Sequence, residues 1–318
     1  MTGGTGFVGG HLIDALLQSR AKVTALVRSR QKGAGLAERG VRIVVGDLGD
    51  DAALVAAARD QEVIYHSAGL VAALSETGFL AVNRDGTARL LAAAAESSRA
   101  RFVLISSLAA AGPSARGERR RGDEAPHPLT AYGRSKLAGE RVVREGPLPW
   151  TIVRPPAVYG PRDAEFLRIF KAVRLRVIPV FGDGAQELSL VYAPDLAAAL
   201  VAVGRSPATA GGIFYPCHPE VQTSAGLARG IARAMGKRVS VLGLPRWVAR
   251  GALGLASIAA RLSGGTTLLT PDKANEFFAP AWTADPAPLE AATGWRAEYD
   301  LASGAAATAA WYRKAGWL

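Results

Sequence analysis

Along the first half of the chain, short runs rich in β-branched and other apolar residues alternate with stretches whose apolar positions recur three and four apart. The runs at 22–27, 41–45, 62–66, 102–107 and 150–154 predict strands, and the run at 102–107 suits a strand buried on both faces. The stretches between them predict a helix directly after residue 9 and others at 51–58, 79–98 and 130–145. Strands and helices in this alternation make βαβ units. The expected fold class is therefore α/β: a doubly wound parallel sheet with helices on both faces. Past residue 156 the rhythm loosens, with a helix near 163–174, strands near 177–181 and 187–192, and a helix opened by Pro194-Asp195. A strand near 212–215 and a helix at 223–236 follow. This predicts a first unit over 1–155, with 186–205 returning to it, and a smaller α+β lobe over 156–318.

Residues 245–262 form an apolar helical pattern broken by Arg246, Arg250 and Arg261. Its uninterrupted part is about ten residues, where a bilayer needs about twenty, so it reads as a core helix with at most peripheral membrane contact. Trp282, Trp295, Trp311, Tyr312 and Trp317 read as packing anchors. The apolar run at 12–17 is short and has no basic leader, unlike a signal peptide.

Composition narrows the picture. A chain of 318 residues, nearly half of them hydrophobic, can bury a substantial core. One cysteine, Cys217, cannot form an internal disulfide and suits a reducing, cytoplasmic setting. The net charge of +11 invites a nucleic-acid partner, but the arginines are scattered and aromatics are few. No basic helix or aromatic platform accompanies the charge, so no nucleic-acid partner is expected; anionic small molecules fit better.

Candidate chemistry begins at Thr2-Gly3-Gly4-Thr5-Gly6-Phe7-Val8-Gly9. Glycines at 3, 6 and 9 before an amphipathic helix are the layout of a turn whose backbone N–H groups face a pyrophosphate. Gly3 allows the tight turn, Gly6 close approach of phosphates and Gly9 close helix–sheet packing. Such a turn should follow a buried strand, yet only Met1 and Thr2 precede it. The expectation is a truncated first strand, short by about five or six residues, leaving the flanks of two neighbouring strands exposed.

Tyr132 and Lys136 lie four apart on one face of a predicted helix. An ammonium beside a phenol lowers its pKa from about 10 toward working pH and makes it a usable acid/base. Ser106 and Ser107 end a parallel strand at its carboxyl edge, where open α/β sheets bind ligands. Where the second strand ends, an acid would accept from ribose hydroxyls. Arg28 stands there instead, with Arg30 nearby, and suits a 2′-phosphate, favouring NADP over NAD.

These motifs, with Asp47-Leu48, His66-Ser67-Ala68-Gly69, Asn83-Arg84-Asp85-Gly86-Thr87, Tyr132-Gly133-Arg134-Ser135-Lys136 and Arg154-Pro155-Pro156-Ala157-Val158-Tyr159-Gly160-Pro161, resemble the extended short-chain dehydrogenase/reductase superfamily, in order and spacing, over almost the whole chain. The resemblance implies a Rossmann-type dinucleotide domain and a C-terminal substrate lobe. It makes Tyr132 the catalytic acid/base, Lys136 the contact to the nicotinamide ribose and Ser107 the group orienting the reacting oxygen. It also implies cofactor contacts at Gly3, Thr5, Gly6, Phe7, Val8, Arg28, Asp47, Leu48, Ala68, Gly69 and Pro155, with Asn83 tying strand to helix. Leu108-Ala109 after Ser107 departs from the Asp-Glu pair of sugar-nucleotide dehydratases. The segment 106–113, the helix pattern after Pro245 and Leu269-Thr270-Pro271 are similar to the 3β-hydroxysteroid dehydrogenase and dihydroflavonol reductase branch. The expected activity is an NAD(P)-dependent interconversion of an alcohol and a carbonyl on a bulky, apolar small molecule. The alternatives are an NDP-sugar 4-epimerase with bound NAD and a non-catalytic dinucleotide sensor. Homodimers through the Tyr132 helix are common in the superfamily.

Overall fold

The computed structural model describes residues 1–245, 247, 248, 251, 254 and 272–318. Its centre is a parallel sheet. Strands β1 (Thr24–Val27) and β2 (Arg42–Val45) form one side; β3 (Val63–His66), β4 (Arg101–Ile105), β5 (Trp150–Val153) and the later Ile213–Phe214 form the other. Between β1 and β3, Met1 and Thr2 occupy the central slot. Thr2 bridges both Leu26 and His66; its N–H donates to Tyr65 O at 3.0 Å, and Leu26 N–H donates to Met1 O at 3.0 Å. The expected exposed flanks are therefore joined at this level of the sheet by two residues.

Alternation within the strands splits the core into two layers, because successive side chains point to opposite faces. Ala25, Val27, Tyr65, Val103 and Ile105 meet Leu12, Ile13 and Leu16 of α1 (Phe7–Gln18), together with Leu196, Leu200 and Val203 of the helix Ala193–Arg205. Leu26, Ile64, Phe102 and Leu104 meet Leu54 of α3 (Asp51–Ala58) and Leu90, Leu91 and Ala94 of α5 (Thr87–Ser97). Between these helices, α2 (Arg30–Ala37) follows β1 and is N-capped by Ser29.

The predicted helix at 79–98 begins earlier and is interrupted. Ser75 caps α4 (Glu76–Leu80), and a π turn at Ala81–Gly86 joins it to α5. Single π turns widen a helix by a residue and gather at functional positions; this one carries Asn83. The predicted strand at 102–107 stops at Ile105, because Ser106 turns to a buried carboxylate and Ser107 caps the short α6 (Leu108–Ala111). Helix α7 (Ala131–Glu145) starts where expected, its N-cap Thr130 accepting from Gly133 N–H at 3.1 Å.

A second core lies beyond β5. Here Phe170 and Val173 of α8 (Leu167–Val173), Ile178 and Val180, Leu227 and Ile231, and Ala305, Ala309 and Tyr312 of the helix Leu301–Lys314 pack together. Trp311 and Trp317 close around Tyr312. Among the described residues no helix is long and apolar enough to cross a membrane. Apart from residues 245, 247, 248, 251 and 254, the apolar pattern at 245–262 lies outside the described residues, as does Leu269-Thr270-Pro271.

Candidate active site

The glycine turn is shaped by backbone contacts. Gly3 has φ +72°, and a Cβ there would lie 2.7 Å from Ala68 N; one on Gly9 would lie 2.1 Å from Gly3 O. Gly6 is the N-cap of α1, with no side-chain cap and no acid in the first turn. Thr5 and Gly6 are exposed, and Phe7 and Val8 half-buried. The first-turn amides thus face outward at the positive end of the helix dipole, which suits a pyrophosphate. At the end of β1 Arg28 is exposed, and no acid stands at 27–30. Asp47 is exposed and accepts from Gly49 N–H at 2.7 Å, while Leu48 packs beneath Gly86.

Beneath the turn runs a chain of buried polar groups. Ala68 N–H donates to Thr2 Oγ1 at 3.2 Å; Thr2 and His66 Nδ1 are 2.7 Å apart; His66 Nε2 and Thr87 Oγ1 are 2.9 Å apart; Thr87 donates to Asn83 O at 2.9 Å. Since Thr87 spends its proton on Asn83, its oxygen must accept from His66, which assigns a neutral ring protonated on Nε2. Burial pushes this imidazole down to about 3, with Lys136 adding to the effect. Asn83 bonds the main chain of Leu70 through both its amide atoms, at 2.8 and 3.0 Å, and donates to Ser135 at 2.9 Å. It thereby ties the loop after β3 to α7.

On α7, Tyr132, Lys136 and Glu140 follow one another at single-turn spacing. Lys136 is buried and donates to Ile105 O at 2.8 Å; burial lowers its ammonium to about 8, against the pull of Glu140. A Cβ on Gly69 would sit 3.5 Å from Lys136 Nζ, which brings the predicted dinucleotide path to the lysine. Glu140 receives Arg154 Nε and Nη2 at 2.9 and 2.6 Å, and Ser106 as well, while Arg154 Nη1 reaches Tyr215 OH at 2.8 Å. Ser106 is thus consumed by this network, and it is Ser107 that borders the cavity with Tyr132.

The expectation that Lys136 lowers the Tyr132 phenol is corrected. Burial dominates and raises the phenol to about 12; the Ser107 hydroxyl works against this and the Glu276 carboxylate with it. The lysine is engaged by the Ile105 carbonyl instead.

Ser107 and Tyr132 open onto a cavity of about 470 Å³ that sequence reasoning did not assemble. Its walls are mainly apolar: Phe166, Ile169, Ile178, Leu227, Phe277 and Trp282 are among them, and Lys273 and Glu276 are the charged members among the described residues. Ser224 Oγ, also in the wall, is buried with no hydrogen-bond partner among the described residues. Pro156 and Ala157 reach the cavity, whereas Pro155 is buried, with its carbonyl accepting from Leu108 N–H at 2.9 Å. A segment remote in sequence closes over the tyrosine. Asp272 accepts from Ala131 N–H at 2.8 Å, Glu276 from Thr130 Oγ1 at 2.6 Å, and Lys273 Nζ lies 5.4 Å from the centre of the Tyr132 ring.

A doubly wound parallel sheet with a glycine turn at its central crossover defines a dinucleotide-binding enzyme of the extended short-chain dehydrogenase/reductase class. The chain belongs to the NAD dependent epimerase/dehydratase family, whose model matches residues 1–215. It is 37% identical over 319 residues to the ceramide reductase of Caulobacter vibrioides (strain NA1000 / CB15N), covering 100% of this chain and 95% of the relative. It is 27% identical over 176 residues to a decarboxylating sterol-4-alpha-carboxylate 3-dehydrogenase of Dictyostelium discoideum, covering 51% and 54% of the two chains. A solved UDP-glucuronic acid 4-epimerase of Bacillus cereus in complex with NAD shares the fold, with TM-score 0.78 at 21% identity over 100% and 98% of the chains. The cofactor is a nicotinamide dinucleotide, and the glycine turn fits it: at Gly3 and Gly9 main chain packs on main chain so closely that a Cβ would clash, which holds the first-turn amides of α1 in place.

Proposed function

We propose that this chain is an NADP(H)-dependent reductase of a lipid ketone of the ceramide class. One observation carries the reading: Ser107 and Tyr132 face a cavity whose walls are apolar over most of their area. A nucleoside-diphosphate sugar needs cationic partners for two phosphates, and among the described residues Lys273, beside Glu276, is the cation of this wall. The ceramide reductase aligned over the full chain supports the same choice.

In this reading Gly3, Thr5, Gly6, Phe7 and Val8 hold the pyrophosphate and Arg28 the 2′-phosphate. Asp47 and Leu48 flank the adenine, Ala68 and Gly69 line the path, Lys136 holds the nicotinamide ribose and Pro155 backs the ring. When bound, the reduced nicotinamide supplies a hydride to the carbonyl carbon. Ser107 and Tyr132 hydrogen-bond the carbonyl oxygen, and Tyr132 OH gives it the proton that completes the alcohol. The phenol's high pKa keeps that proton in place until the developing alkoxide takes it. Ser224 Oγ offers a partner to the amide or hydroxyl of such a lipid.

The test is purified protein with NADPH and a detergent-dispersed keto-ceramide, alongside steroid and flavonoid ketones and UDP-glucose. Loss of NADPH absorbance with the long-chain ketone, and no sugar epimerisation, is the expected outcome. Epimerisation of UDP-glucose without net NADPH consumption overturns the reading.

A further inference from the structure

The cavity is bounded by a two-stranded parallel ribbon, β6 (Val177–Phe181) paired with the later strand Ser240–Leu244. On β6, Ile178 and Val180 point inward, are buried and line the cavity. Val177 and Pro179 take the alternate positions, in register with Ser240 and Leu242, and are exposed, although Pro179 also reaches the cavity wall. For apolar residues their exposure is high: Leu175, just ahead of the ribbon, is 77% exposed, Leu242 55% and Val177 46%, with Trp247 just beyond it at 78%.

The charge at the leading end of this face has one sign. Because the strands run parallel, their leading ends lie together, and these ends carry the exposed Arg174, Arg176, Lys237 and Arg238. Lys171 and Arg233, on the helices leading into them, are exposed as well. Residues 166–182 and 221–245 contain no Asp or Glu, and the exposed Asp183 lies at the opposite end of the ribbon, beside Gly243. An apolar patch whose leading edge is lined by cations suits an anionic lipid surface. A second copy of the chain would instead set one cationic edge against another, which costs free energy in a two-fold interface.

We propose that the outer face of this ribbon docks on an anionic phospholipid bilayer. Bilayer docking places the cavity on the far side of the ribbon within reach of a membrane-borne substrate, a consequence that rests on the lipid-ketone reading above. A cavity of about 470 Å³ is in the range that buries a drug-sized ligand; it takes the keto-bearing portion of a two-chain lipid and leaves the rest outside. A docked ribbon gives that remainder an apolar surrounding.

The experiment is co-sedimentation of the full chain with phosphatidylcholine vesicles, with and without phosphatidylglycerol, at low and raised salt. Pelleting that requires phosphatidylglycerol and is released by salt is expected. Arg174→Gln with Lys237→Gln should weaken it about 10- to 30-fold, at roughly a factor of five per charge near an anionic surface. Leu175→Ser with Leu242→Ser should weaken it as well, while thermal unfolding and ketone reduction in detergent stay unchanged for both variants. No pelleting, equal pelleting on both vesicles, or variants that instead dissociate a dimer in sedimentation velocity would overturn the docking surface. Ketone reduction in detergent that persists without vesicle binding leaves the reductase reading standing. Vesicle binding without ketone reduction leaves docking standing and removes the reading of the substrate.

Discussion

Around the glycine turn, main chain meets main chain: a Cβ at Gly9 has 2.1 Å to the Gly3 carbonyl, and the groups below are locked in a hydrogen-bonded file from Ala68 to Asn83. Across Tyr132 the cavity is walled by side-chain bulk, with the Ser224 hydroxyl unpartnered among the described residues and the Lys273–Glu276 ion pair in the same wall. The first region tolerates almost no change of volume. The second needs only apolar residues of fitting size, and cores of that kind accept many combinations. A dinucleotide of constant shape is served by the rigid end, and the substrate by the adaptable one.

The sharpest way to break this division is at the residue shared by both. Tyr132→Phe should lower turnover about a hundredfold or more while leaving dinucleotide affinity and thermal stability near wild type; steady-state kinetics with binding titrations read both. Gly9→Ala should destabilise the fold by about 1–3 kcal/mol, since the new methyl meets backbone and not a flexible side chain; urea unfolding measures it. Arg28→Gln should weaken NADPH about tenfold and NADH hardly at all, the scale of a lost charge-assisted hydrogen bond; fluorescence titration checks it. In the adaptable end, Ser224→Ala should raise KM for an amide-bearing lipid ketone by roughly two- to tenfold, with kcat and cofactor binding unchanged. The smallest effect concerns pH. The unfolded chain protonates His66 near 6.5, whereas the folded protein does so only near 3. More protons bind to the unfolded state in that window, so stability falls as pH drops through it. In His66→Gln the fall should be shallower in pH-dependent thermal melts.

The same division explains what could be read from sequence. Close backbone approach demands glycine, so Gly3 and Gly9 announced the turn, and one-turn spacing put Tyr132 and Lys136 on one helix face. Helix α2 went unread because Gly33 and Gly35 weaken its pattern; Gly33 lets it lie flush on Val27 and Ile43. The cavity wall was illegible for a different reason. Phe166, Ile178, Leu227 and Phe277 are ordinary core residues until the fold gathers them, and nothing in their spacing marks them as a site. The direction of the Tyr132 shift was missed because burial, which outweighs a nearby ammonium, is a property of the assembled lobe.

Two contacts also order events in time. The N-terminus of α7 is held by Asp272 and Glu276, 141 and 146 residues further along the chain. During synthesis the sheet can assemble as its strands emerge, since domains fold as units from the N-terminal end. The turn bearing Tyr132 cannot receive these two partners until the ribosome has passed residue 276. A nascent chain can thus hold its dinucleotide cradle early, while the reactive tyrosine is clamped only near the end of translation.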